Sequence, residues 1–397
     1  MATMPGAGTR ARRDDRGFTL VELLVTMAIT TVILGATMLA LSDATRAADM
    51  ASQVTQLNNG LRTAMDLMVR DLLQVGQGLP SGRAILIPNG SNSQTIRLPS
   101  PPGQNYVLDG AAYCPPRPPD DIDTVCEDVN AVIPGAGRGP ILIAGEGASD
   151  MITTLAADSA FEQVRLRQFA TDGLSILVPL PGTTPPQDLS GHNISDTPDL
   201  GGDNIYPGDL IMLTKGTASA LVQVTSVSGQ TIFFASGDSM RLNQTNAADG
   251  TAKELRAMAP TDNNPVAPNY FVYTVATRIR MVTYYVDAAT DPLHPRLVRR
   301  INNNPATAVA FDIETLQFSY DLADGLVNPA NVRMDGDDLD GSGECSPDPC
   351  YANAIRKVNI TLGARSRNPK KGTNQFYRNR LVTQVSLRSL AFVDRYR

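Results

Sequence analysis

Five carboxylates crowd into ten residues near the C-terminus: Asp335, Asp337, Asp338, Asp340 and Glu344. Calcium takes about six to eight oxygen ligands, and loops of this composition supply them. The EF-hand register is not met. Counted from Asp335, the fifth position is Leu339 and the sixth is Asp340, where an acidic ligand and a glycine are wanted. A solvated acidic loop is the plainer reading. Calcium held by Asp335, Asp337, Asp340 and Glu344 is the alternative. The four cysteines fall as two local pairs, Cys114 with Cys126 and Cys345 with Cys350. These spacings are unlike the CxxC knuckle of zinc sites, so two short-loop disulfides in an oxidising compartment are expected. Four cysteines still allow three connectivities. His192 and His294 both sit beside turn residues, and no GxSxG, HExxH, P-loop or dinucleotide fingerprint occurs. The expectation is a protein that is not an enzyme and holds no cofactor apart from that candidate calcium.

One further carboxylate stands apart. Glu22 interrupts an apolar run of about 24 residues, which spans roughly 36 Å as a helix, enough for a bilayer core of about 30 Å. A carboxylate in such a run costs roughly 2.5–3.5 kcal/mol at mid-membrane and less near an end, so it points to a task. Arg10, Arg12, Arg13 and Arg16 precede the run, against Asp14 and Asp15. That excess holds the N-terminus in the cytoplasm and sends the rest outward. An ordinary signal peptide has an apolar region of about 7–15 residues and no use for Glu22.

The segment Gly17-Phe18-Thr19-Leu20-Val21-Glu22, with the apolar run behind it, resembles the cleavage and methylation site of type IV prepilins and type II secretion pseudopilins. The resemblance implies that prepilin peptidase cuts after Gly17 and methylates the new amine of Phe18. It also implies that Glu22 pairs with a neighbouring subunit's N-terminus during assembly.

The elements that must carry this segment follow from periodicity. Past Leu41 the apolar residues Ala47, Ala51, Val54, Leu61, Met65, Met68, Leu72 and Val75 recur on one helical face. Gly76, Gly78 and Pro80 supply the stop. One helix from Phe18 to Val75 is expected, apolar all round in its first half and amphipathic in its second. No proline interrupts it.

From Pro80 onward the pattern is short strands and polar loops. Strands are expected at 84–87, 141–143, 163–169 and 175–178. A hairpin is expected with strands 220–227 and 231–235 about Ser228-Gly229. Further strands are expected at 272–286, 296–301, 309–320, 355–364 and 380–390. Residues 99–140, 181–204, 237–269 and 321–354 read as loops. A basic turn spans Arg365 to Arg380, and the plain reading is a solvated connection. The net charge is −6, and the leader is positive, so bulk charge gives no reason to expect nucleic acid. With 32 glycines and 28 prolines, the chain reads as an exported, loop-rich β protein.

Several later stretches narrow the resemblance. MDLMVRDLLQVGQGLP (65–80) is similar to the helix exit of PilW-like minor pilins and the type II secretion J pseudopilin. ALVQVTSVSGQTIFFAS (220–236), VAFDIETLQFSYDL (309–322), RKVNITLGARS (356–366) and RLVTQVSLRSL (380–390) resemble strands of the PilW-like branch. The expected fold is α+β and pilin-like, a long N-terminal helix packed on a β-rich, loop-rich head. Its expected parts are a cytoplasmic leader (1–17), a transmembrane or filament-core helix (18–42), an amphipathic helix (43–79) and an external head (80–397). The resemblance implies a minor pilin of the inner membrane and then of a pilus. Its partners would be prepilin peptidase, other minor pilins and a major pilin. A J-type pseudopilin, or a binding module on a pilin stalk, are the alternatives.

Overall fold

The computed structural model describes residues 19–79, 84–87, 95–108, 128–161, 164–165, 168–170, 172–177, 205–215, 218–228, 231–245, 274–323, 328–335, 338, 343, 345, 350–370 and 373–390. Leu20–Leu73 form one unbroken helix, α1, of 54 residues. Its amphipathic half ends where the chain must turn sharply. Gly76 and Gly78 have φ of +76° and +72°, which disfavours any residue with a Cβ. A Cβ on Gly76 would lie 2.5 Å from Leu390 Cδ2, and one on Gly78 would lie 2.6 Å from the Cβ of Ala157.

The strands run in this order: β1 (Ala84–Leu86), β2 (Ile96–Leu98), β3 (Tyr106–Leu108), β4 (Asp128–Asn130), β5 (Val132–Gly135), β6 (Met151–Ala157), β7 (Val164–Arg165), β8 (Gln168–Phe169), β9 (Ser175–Leu177), β10 (Leu210–Lys215), β11 (Ala218–Gln223), β12 (Ser226–Ser228), β13 (Thr231–Phe233), β14 (Val275–Asp287), β15 (Arg296–Ile301), β16 (Thr307–Phe311), β17 (Ile313–Leu322), β18 (Ile355–Arg365) and β19 (Arg378–Ser386). The fold is α+β and pilin-like, with the helix leading into a head of antiparallel sheets.

Strand β14 organises the head. It pairs with β10 and β15 along one edge and with β7 and β6 along the other. Its two faces serve different cores. Ile279, Met281 and Tyr285 join one core with β6, β10 and the β2–β3 hairpin. Val282, Tyr284 and Val286 face the core that receives the helix. A third core, with Ile211, Val222, Ile232 and Phe234, lies under the β12–β13 hairpin.

The helix packs against β16, β18 and β19. Leu57, Leu61, Ala64, Met65, Met68 and Leu72 are buried there, among Phe318, Ile360, Leu362 and Val385. One charged group lies on the same buried face. Asp71 accepts from Arg299 Nε (2.6 Å) and Nη2 (3.0 Å), and from the Tyr284 hydroxyl (2.5 Å). Burial and the Asp71 charge both push the Tyr284 hydroxyl pKa upward, so it stays a donor. Arg299 lies on β15 and Tyr284 on β14, so the pair pins the last turns of the helix to the large sheet.

The structure departs from the sequence expectations at identifiable places. The helical stripe is buried only from Leu57; Ala47, Ala51 and Val54 are exposed. Residues 141–143 form no strand, and Ile141 is exposed. The β5–β6 pairing ends at Gly135 opposite Met151; two bonds beyond it, Gly139 N to Ser149 O and Ser149 N to Pro140 O, close the neck of a loop that holds residues 141–143. The expected strand 309–320 is two strands in different sheets, β16 and β17, broken at Asp312 with φ of +60°. The expected strand 220–227 is likewise divided into β11 and β12. Residues 99–140, read as loop, contain β3, β4 and β5. Strand β6 was not expected. Its first five residues are all buried, so no alternation marks it. The loops expected at 181–204 and, past residue 245, at 237–269 lie outside the described residues.

Replacing Asp71 by Ala leaves Arg299 half-buried without its partner and is expected to cost about 3 kcal/mol. Tyr284→Phe keeps the ion pair and is expected to cost about 1.5 kcal/mol. Denaturant unfolding of the purified full chain in micelles measures both. Equal, negligible losses would show that the helix is held by apolar contact alone.

Candidate functional site

Thr19 and Glu22 begin the helix. Thr19 is extended, with φ −73° and ψ 149°. Its backbone N donates to Glu22 Oε2 (3.1 Å) and its hydroxyl to the same oxygen (3.0 Å). In return, Glu22 N donates to Thr19 Oγ1 (3.3 Å). This is a reciprocal capping box. It satisfies helix-start donors that hydrocarbon would leave unpaired. The negative charge also meets the positive end of the helix dipole. Every contact of the carboxylate falls on Oε2, and Oε1 makes no hydrogen bond among the described residues. Glu22 can therefore cap its own helix with one oxygen and accept from a second molecule with the other.

The helix behind this cap is bare. Leu20, Val32 and Leu39 are 75%, 72% and 71% exposed, and the head covers none of the apolar segment. Thr26, Thr30, Thr31 and Thr37 turn their hydroxyls back onto carbonyls three or four residues earlier. Their polar groups are thereby satisfied within the helix, as an apolar surrounding requires. The segment is long and apolar enough to cross a membrane, and it lies near the N-terminus. It fits a single-pass anchor.

The other sequence-derived sites divide as follows. Gly17 and Phe18 lie outside the described residues, as do Cys114 and Cys126. Cys345 and Cys350 form a disulfide, and Cys350 packs into the helix-bearing core. Asp337, Asp340 and Glu344 lie outside the described residues. Asp335 is described, and its Oδ1 accepts from Asp338 N (3.4 Å). Asp338 is buried and accepts from Met334 N (3.0 Å), while its carbonyl accepts from Cys350 N (3.0 Å). The described part of the acidic loop is tied to itself and to the disulfide. Among the described residues no group of three or more His, Cys, Asp or Glu is placed to hold a metal.

The basic turn is partly occupied. Glu314, buried on β17, receives Arg378 through Nε (2.6 Å) and Nη2 (3.1 Å), with Arg365 at 3.6 Å. The Arg365 and Lys370 cations lie over Phe376 and Tyr377, at 4.5 and 4.7 Å.

Two functional features were missed by sequence reasoning, and both had a signal. Thr19-x-x-Glu22 is a readable capping box. Asp71 lies on the buried face between Met68 and Leu72, where an acid demands a partner.

Residues 12–38 match the family model described as Prokaryotic N-terminal methylation motif. No curated protein matches the chain. The motif supports a type IV pilin-like protein processed by prepilin peptidase and assembled into a pilus, and it spans the cap and most of the bare helix.

Thr19→Ala removes the box and is expected to cost about 1 kcal/mol at the helix start. Hydrogen exchange of the first-turn amides in micelles should rise about fivefold for that loss. Unchanged exchange would show that the cap contributes nothing there.

Proposed function

We propose that this chain is a PilW-like minor pilin, a structural subunit rather than an enzyme. Prepilin peptidase removes residues 1–17 and methylates Phe18. The head lies outside the cytoplasm, and the bare helix passes from the inner membrane into the filament core. The observation that carries this is the division of α1. The half that matches the methylation motif is uncovered, and the other half is locked to the head. An uncovered apolar helix in water is a large liability, so it must be covered by lipid first and by other helices afterwards.

In this reading Glu22 has two tasks. Oε2 closes the capping box of its own helix, and Oε1 accepts from the methylated amine of a neighbouring subunit. The neighbour's positive charge offsets the cost of carrying the carboxylate into an apolar core. The same contact fixes the axial register of adjacent subunits. A head of this size supports a place at a filament end rather than in a close-packed shaft. The partners are then other minor pilins and a major pilin. A J-type pseudopilin would use the same division of the helix, and its operon neighbours would distinguish it.

Two substitutions test the reading. Gly17→Val should leave the leader attached, seen as a larger chain on immunoblot; normal processing would contradict the assignment. Glu22→Gln keeps an amide oxygen for the capping box but removes the charge. It should be cleaved normally yet enter sheared filaments roughly tenfold less, the loss of about 1.4 kcal/mol of pairing. Full incorporation would show that the charge is dispensable.

A further inference from the structure

Gly60 stands inside the C-terminal half of α1, seven residues after Gln53. A glycine inside a helix is unfavourable relative to alanine, because it orders a more flexible backbone. Packing within the chain does not require it. A Cβ built there meets nothing within 4 Å. A glycine here permits close approach to the helix backbone by something outside the chain.

The space over Gly60 is shaped. A cavity of about 310 Å³ opens where the helix leaves the head. The helix supplies Gln53, Leu57 and Gly60 to one wall, the β16 corner supplies Phe311, and the end of β18 and the turn beyond it supply Arg365 and Arg367. Phe311 is 61% exposed at the lip, beside the apolar helix face of Leu57. Arg367 is exposed and forms no ion pair among the described residues.

The cavity continues an uncovered surface. Val54 and Met50, one and two turns before Leu57, are 36% and 43% exposed. They extend the buried helical stripe beyond the head, towards the bare apolar half. In that half Gly35 also has nothing within 4 Å of its Cβ position.

We propose that this notch is a docking site for the stalk helix of an adjacent pilin-like subunit. The incoming helix lies alongside residues 50–60, with its backbone close to Gly60, an apolar side chain in the cavity under Phe311, and an acidic side chain towards Arg367. The inference rests on the filament reading above. A helix is the occupant because one wall is itself a helix, running for about two turns, and because the same stripe runs into the segment that other helices must cover. Where Glu22 sets axial register at one end of the stalk, this notch sets the rotation of the head about it at the other.

The test places a photo-crosslinking benzoylphenylalanine at Phe311 of the full chain, in cells that assemble filaments. Light should yield an adduct whose crosslinked peptide comes from the N-terminal helix of a pilin-like subunit, this chain or another. Gly60→Leu fills the notch and should reduce the adduct and filament incorporation roughly tenfold. Its leader should still be removed, and the chain should unfold at the same temperature or higher. Gly60→Leu with full incorporation would overturn the proposal. So would an adduct only to lipid or to head strands, or no adduct from a processed chain. A chain that keeps its leader would overturn the filament reading and this inference together.

Discussion

The head can leave half of the helix uncovered only because it holds the other half firmly. Asp71 is central to that hold. It is a buried carboxylate on the helix, bonded in a fork by Arg299 and by the Tyr284 hydroxyl, and these two lie on adjacent strands of the large sheet. Apolar burial alone would permit the helix to slide or rotate over β18 and β19, since Leu, Met and Ala contacts are non-directional. A charged, bidentate contact has one geometry, and a misplaced helix would leave Asp71 and Arg299 unpaired in a dry site. The apolar core supplies the affinity of helix for head, and the triad supplies its register.

The chain turn after the helix reinforces the same geometry. Gly76 N donates to Leu155 O and Ala157 N donates to Gln77 O, which ties the helix exit to β6. Strand β6 pairs with β14, which carries Tyr284. The end of the helix, the exit turn and the acceptor sheet form one connected unit. Pull applied at the bare end is therefore passed to a three-strand region of the head rather than to a single contact.

Much of this was legible in the residues. The helix, its glycine stop, the β15, β18 and β19 strands and the Cys345–Cys350 bridge are each signalled by local chemistry. What failed was non-local. Strand β6 is buried along its first five residues, so periodicity could not mark it. The single long strand expected across Asp312 is two strands, because one residue at positive φ redirects the chain into another sheet. The helical stripe was read to Ala47, but periodicity reports which residues share a face and not where the covering partner ends. At the site, the cost of Glu22 in an apolar run is readable from the sequence, and its capping contact with Thr19 is seen only in the structure. The meaning of Gly60 is visible only when the space above it is known.

These features divide the chain into a folded head and an uncovered apolar helix, with Glu22 near the tip of the second. The central claim is that the helix begins life behind a removable leader and ends it with a methylated amine beside that carboxylate. Mass analysis of the N-terminal peptide from the chain in assembled surface filaments tests this most directly. The account predicts a peptide starting at Phe18 with a methyl group on its amine. A peptide starting in the leader, or at a small-residue site past Leu41, would contradict it.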